Sequence, residues 1–161
     1  MAIRPATKDD HDSIWQILEP MIRRGDTYTL PRDMSKGQAL EFWFAQGNET
    51  FVWQDRSTIL GTYFLRANQR GGGSHVANCS YVTAASAEGR GIARAMCQHS
   101  LQRARERGFR AMQFNFVVST NQRAVKLWTE LGFNIVGRLP GAFEHPEQGF
   151  VDALIMHQKI L

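Results

Sequence analysis

Ile14, Ile17, Leu18, Met21 and Ile22 recur at the three-and-four spacing of one helical face, with Asp9 or Asp10 placed to cap it. The pattern predicts a helix after a short first strand over Ala2 to Ala6, with Pro20 bending or weakening its second half. Gly25 to Asp33 reads as a loop. Ser35 opens a short second helix whose Leu40, Phe42, Trp43 and Phe44 form an aromatic patch, for most of which packing is the simpler role. β-Branched and aromatic runs at Thr50 to Trp53 and Thr58 to Arg66, divided by Gln54-Asp55-Arg56-Ser57, predict an antiparallel hairpin. Gly71-Gly72-Gly73 is a turn too short for a domain linker, and it precedes a strand over His75 to Thr83.

The rhythm then changes. Glu88-Gly89-Arg90-Gly91-Ile92-Ala93 opens a helix reaching about Arg107, with Ile92, Met96, Leu101 and Ala104 inward and Gly108 at its end. Ala111 to Val118 is a strand, Asn121 to Leu131 a helix ended by Gly132, and Phe133 to Arg138 and Phe150 to Ile160 are two closing strands. This alternation makes an α/β chain. Its strand-helix-strand crossover requires at least one parallel pair in a mixed sheet covered by helices.

The length of 161 residues predicts a single domain over 1–161, and 43% hydrophobic with 21% charged residues is an ordinary globular balance. No apolar run approaches the roughly 18 residues of a membrane span, and the first ten residues lack an apolar signal core. No membrane association is expected. Cys79 and Cys97 lie apart, with no C-x-x-C and no His pair at ligand spacing, so neither a metal site nor a disulfide is predicted and a cytoplasmic location fits best. The net charge is +4, yet 15 of the 19 basic residues are Arg, the residue suited to bidentate contact with an anion. Arg103, Arg105, Arg107 and Arg110 fall at a helix end, where cations complement the dipole, so nucleic acid is not the expected partner.

The strand-to-helix turn at Glu88 to Ala93 has a stronger chemical reading. Two glycines permit a tight turn and leave backbone N–H groups free to converge on an anion beside the positive end of a helix, flanked by Arg90 and Arg94. A Walker loop is excluded because no Gly-Lys-Ser/Thr follows. A dinucleotide fingerprint is disfavoured because the third glycine position is Arg94 and the unit lies late in the chain.

Arg90-Gly91-Ile92-Ala93, followed about thirty residues later by Asn121-x-x-Ala124-x-x-Leu127-Trp128-x-x-x-Gly132-Phe133, resembles the GNAT superfamily of acetyl-CoA-dependent N-acetyltransferases. The resemblance implies a mostly antiparallel mixed sheet of about seven strands with a central splayed parallel pair, flanked by about four helices. It also implies acetyl-CoA as co-substrate, held by the backbone from Glu88 and Gly89 through Arg90, Gly91, Ile92 and Ala93 to Arg94. Glu88 departs from the Gln or Arg usual there. The preceding strand, ending Tyr81-Val82-Thr83, would pair with the pantetheine arm, with Val82 and Thr83 as contacts and the Val82 amide as oxyanion donor. Asn121 matches the family's pantetheine contact and is also a plain helix cap. Trp128 replaces the usual Tyr, and an indole N–H cannot give up a proton to the departing thiolate.

Asn78-Cys-Ser-Tyr81 and Asn115-Phe-Val-Val-Ser-Thr-Asn121 resemble the yeast-type acetyltransferases of proline analogues such as azetidine-2-carboxylate. That resemblance places Asn78 and Asn115 at the amine as catalytic and substrate-binding residues, with Tyr81 near the substrate. Tyr28, in the loop after the first helix, is a further candidate contact. Asp26, Glu144 and Asp152 are candidate bases, each more simply a loop or strand-end charge. The leading expectation is an N-acetyltransferase of a small-molecule amine. A protein N-terminal acetyltransferase and a non-catalytic acyl-CoA-binding module remain open, as does a homodimer.

Overall fold

The computed structural model describes residues 1–161. Seven strands form one sheet: β1 (Ala2–Pro5), β2 (Glu49–Asp55), β3 (Thr58–Ala67), β4 (Val76–Thr83), β5 (Ala111–Val118), β6 (Asn134–His145) and β7 (Gly149–Lys159), in spatial order β1-β2-β3-β4-β5-β7-β6. Four helices cover it: α1 (His11–Arg24), α2 (Lys36–Trp43), α3 (Ile92–Glu106) and α4 (Gln122–Glu130). Every pairing is antiparallel except β4 with β5. That exception is the product of the α3 crossover, which returns the chain to the sheet in the same direction.

Strand alternation divides the core into two faces. Tyr63, Leu65, Ala77, Cys79, Met112 and Phe114 point to the side of α3 and α4, where they meet Met96, Leu101, Trp128 and Phe133. Val52, Phe64 and Val82 point to α1 and α2, packing on Ile14, Leu18, Ile22 and Trp43. The aromatic patch of α2 is anchored there: Trp43 is fully buried, stands edge-on to Phe64 at 4.8 Å and donates its indole N–H to Thr62 Oγ1 at 2.9 Å. Its polar end is thus satisfied inside an apolar layer.

Two boundaries differ from the sequence pattern, and α1 ends where the pattern placed the loop at Gly25. α1 runs through Pro20 to Arg24, because the ring sits on a helix held by its buried Ile17, Leu18, Met21 and Ile22 face. α3 begins at Ile92, since Glu88 to Gly91 is the turn itself. β6 extends seven residues beyond Arg138, because register shifts between Leu139 and Phe143 absorb Pro140 and Gly141, whose turn-forming character would otherwise end a strand.

No helix is long and apolar enough to cross a membrane. Cys79 and Cys97 are free and buried.

Candidate active site

The parallel pairing of β4 with β5 lasts for only two residue pairs, Val76 with Ala111 and Ala77 with Met112. Beyond them the strands part. Asn78 sits at the fork, 7% exposed, and its Nδ2 donates to the Gln113 carbonyl of β5 at 2.9 Å. The side chain takes over where the backbone ladder stops, which explains an Asn inside a strand.

The pleat decides which β4 amides face the opening. Ala84 N–H donates to the Leu60 carbonyl at 2.9 Å and Asn68 N–H to the Val76 carbonyl at 2.8 Å, with Arg66–Asn78, Phe64–Ser80 and Thr62–Val82 in register between them. Even-numbered residues of β4 therefore bond to β3, and Cys79, Tyr81 and Thr83 turn their backbone groups toward the opening. This corrects the expectation for Val82. Its amide is committed to β3, and its side chain lies in the α1 face. The N–H groups that β4 turns to the opening are one residue to either side, at Tyr81 and Thr83.

At the head of α3 the helical ladder starts with Ala95 N–H donating to the Gly91 carbonyl at 3.0 Å, which leaves the N–H groups of Ile92, Ala93 and Arg94 pointing out of the helix. No side chain caps this end and its first turn holds no acid. Gly89 and Gly91 both have φ of +77, a left-handed conformation that a side chain would strain. The Arg90 amide turns back to the Ala87 carbonyl at 3.4 Å and the Glu88 amide to Ala85 at 3.5 Å, so the free donors are those of the two glycines and of residues 92 to 94. Such an uncapped helix end is electrostatically incomplete, and a phosphate would complete it.

Charged side chains ring this cradle in pairs. Arg90 reaches Asp55 at 3.5 Å beside a cavity of about 580 Å³ under the β2–β3 turn, and Arg94 pairs with Glu130 of α4. Glu88, a departure from the expected Gln or Arg, accepts from Arg123 of α4 at 3.2 Å. The misplaced negative charge is thereby offset from the neighbouring helix. Asn121 caps α4, its Oδ1 accepting Ala124 N–H at 3.3 Å, which leaves its NH₂ group free for a ligand in the opening. The cradle, the unpaired β4 edge and the Asn121 amide together fit the pyrophosphate and pantetheine of CoA.

Trp128 and Tyr81 lie on the α3 and α4 side, ring centroids 5.1 Å apart, and Phe114 is 5.2 Å from Trp128. Ser100 Oγ donates to the Cys97 carbonyl at 2.7 Å, so the Tyr81 hydroxyl, 2.7 Å away, donates to Ser100. Burial pushes the Tyr81 phenol well above its ordinary pKa. Tyr81, expected near the acceptor together with Asn78, has its ring on the other side of the sheet from the Asn78 side chain. What Tyr81 presents to the opening is backbone, and its carbonyl accepts the Tyr28 hydroxyl at 2.9 Å.

On the opposite face an amide network crosses the fork. Asn115 Nδ2 donates to Asn68 Oδ1 at 2.6 Å, and Asn115 Oδ1 accepts Gln113 Nε2 at 2.9 Å. Asn78 and Asn115 are thus brought to one face, linked through Gln113, with Asn115 exposed. Among the candidate bases, Asp152 is occupied: it accepts Gly141 N–H at 2.9 Å and Arg138 at 2.7 Å, and these hold its carboxyl below the usual range. Glu144 is exposed on β6. Asp26 Oδ1 is buried without a hydrogen bond, 3.6 Å from Arg24 Nε. Sequence reasoning missed Asn68, Gln113 and Arg123, because their contacts depend on cross-strand and interhelical neighbours that no local motif marks.

Residues 12–133 match the model of the acetyltransferase (GNAT) family. The chain is 28% identical over 151 residues to the N-acetyltransferase aca1 of Schizosaccharomyces pombe, covering 83% of this chain and 72% of that protein. It superimposes on a GCN5-related N-acetyltransferase from Kribbella flavida with a TM-score of 0.93 and 39% identity, over 98% of this chain and 96% of the other. The same fold recurs in yncA from Salmonella typhimurium, solved with its cofactor acetyl-CoA, at a TM-score of 0.87 and 20% identity over 100% and 94% of the two chains. With an anion cradle, a forked sheet edge and these likenesses in agreement, the chain belongs to the GNAT family of N-acetyltransferases.

Proposed function

We propose that this chain transfers the acetyl group of acetyl-CoA to the amine of a small molecule, an amino acid or proline analogue, by direct attack on the thioester. The observation that carries the reading is the fork itself. It offers the backbone N–H groups of Tyr81 and Thr83 to one ligand and the amide network of Asn78, Gln113 and Asn115 to another.

In this reading the amides of residues 92 to 94 anchor the pyrophosphate and the Asn121 NH₂ group holds the pantetheine. The acetyl carbonyl then lies against β4, where the Tyr81 or Thr83 N–H meets the oxyanion as it develops. Asn115 and Asn78 orient the amine. A neutral amine forms the new C–N bond as the C–S bond breaks, and the N–H proton it loses restores the CoA thiol directly or through solvent. Trp128 shapes the thiolate's surroundings and donates no proton.

The reducing cytoplasm is the compartment this reading assigns. A homodimer is its proposed assembly, through Ile135, Val136 and Leu139 on the edge strand β6 and Phe150 beside it, all exposed. Sedimentation equilibrium that finds only the single chain at micromolar concentration would remove the dimer.

Acetyl-CoA with an amine panel containing azetidine-2-carboxylate and cis-4-hydroxyproline tests the activity, read by thiol titration of released CoA. Burial pushes Cys79 and Cys97 up to about 12, so the folded protein adds no thiol signal of its own. Acetylation of a protein N-terminus with no small amine turned over would overturn the acceptor class. CoA binding by calorimetry with no transfer to any acceptor would instead favour a binding module.

A further inference from the structure

Four arginines are neither fully exposed nor fully buried: Arg4, Arg23, Arg66 and Arg103. Three of them hold a carboxylate, Arg4 that of Asp10, Arg23 that of Glu19 and Arg103 that of Glu49. Arg66 holds none. Its guanidinium carbon lies 5.4 Å from the centroid of the Phe64 ring, within cation–π range.

Arg66 stands in the last turn of the pleat of β3, directly opposite Asn78 in register. Even positions of β3 and β4 share a face, so Arg66, Phe64, Asn78 and Ser80 all lie on the side of the amide network and away from α3 and α4. By leaning over Phe64, whose register partner is Ser80, the guanidinium is drawn along the strands to the level where β4 and β5 have separated. Its register partner across the strands, Asn78, is a neutral amide. A half-buried cation without an acidic partner lacks a counter-charge, and a planar guanidinium pairs bidentately with a carboxylate or a phosphate, of which the carboxylate is the one that the acceptor class proposed above carries.

We infer that Arg66 binds the carboxylate of the acceptor, which makes the substrate an amine carrying an acid group close to its nitrogen. The inference rests on the acceptor face assigned above and deepens it. Arg66 pairs with the carboxylate and so fixes the nitrogen's direction of approach.

The test compares azetidine-2-carboxylate and L-proline with their carboxamides, in the native chain and in Arg66→Gln and Arg66→Lys. The native chain is expected to prefer each acid over its amide by roughly tenfold or more in kcat/KM. Arg66→Gln should lower kcat/KM for the acids by about 10- to 100-fold, leave the amides within about threefold and keep the KM for acetyl-CoA, with Arg66→Lys intermediate. A native chain indifferent to acid or amide, or an Arg66→Gln variant that loses both alike, would overturn the assignment. Should no amine of the panel be acetylated, the transfer reading fails separately, and calorimetry on the CoA complex decides for Arg66. Tighter binding of the acids that is lost in Arg66→Gln supports it, and equal or absent binding overturns it.

Discussion

The Tyr28 hydroxyl donates to the Tyr81 carbonyl across 2.9 Å, joining the loop after α1 to the edge of β4 at the point where β5 has moved away. An edge carbonyl that would otherwise lack a ladder partner is thereby satisfied, and burial raises the Tyr28 phenol to about 12, so it stays protonated and donating at every ordinary pH. Tyr28→Phe is expected to lower kcat/KM for the acceptor about tenfold and stability by about 1 kcal/mol, leaving the CoA dissociation constant within about twofold. Steady-state kinetics and calorimetry on the same preparation check this. Loss of CoA affinity in proportion to activity would show that the bond positions the donor side instead.

Gly61 of β3 sets the height of α3 above the sheet. A Cβ there would come within 2.8 Å of Ile92 Cγ2 and 3.0 Å of Met96 Sδ, so the first turn of α3 would have to lift. The donors of Ile92 and Ala93 lift with it. Gly61→Ala is therefore expected to cost about 1–3 kcal/mol of stability and to weaken CoA binding several-fold, measured by urea unfolding and calorimetry. Gly72→Ala, with no atom within 4 Å and no left-handed φ, is the control and should be neutral within about 0.5 kcal/mol.

Trp128 is the residue that the proposed reaction leaves without an acid's role. Its ring fills space between Tyr81 and Phe114. If packing is its whole contribution, Trp128→Phe keeps kcat within about threefold while lowering stability by about 1–3 kcal/mol, whereas removal of a general acid costs about 100-fold or more. A loss of that larger size, accompanied by a vanished alkaline limb in the pH profile of kcat, would show that the indole's surroundings deliver a proton after all.

Much of this site was legible along the chain because its parts are local. Gly89, Gly91 and the helix that follows make the cradle from adjacent residues, and Asn121 caps the helix it begins. Periodicity also marked the inward faces of α1 and α3. What stayed hidden depends on register. Val82 and Tyr81 are neighbours in sequence, yet one directs its backbone at β3 and the other at the opening, and a resemblance alone could not set that phase. Arg66 reads in sequence as the end of a hydrophobic strand, and only its register with Asn78 places it beside the fork. The extension of β6 past Pro140 depends on bulges that its pairing with β7 creates, so local turn propensity pointed the other way.

Asp10 ties the first strand to the first helix and carries a pH signature. It is 6% exposed, and both its oxygens accept from Arg4 at 2.8 Å, with Thr7 N–H donating at 2.7 Å. The Arg4 hydrogen bonds, with Thr7 adding to them against the cost of burial, hold its carboxyl down to about 2 from an ordinary 3.8. A pKa depressed on folding means that the unfolded chain binds the proton more readily. The stabilisation is therefore fully present above about pH 4 and is lost as the pH falls toward 2. Asp10→Asn should be less stable than the native chain by about 2 kcal/mol at pH 7 and by the same margin at pH 5, with the difference shrinking between pH 4 and pH 3. Urea midpoints at these four pH values measure it. A difference as large at pH 3 as at pH 7 would mean that Asp10 contributes through packing and neutral hydrogen bonds, and that the Arg4 ion pair adds nothing to the hold of β1 on α1.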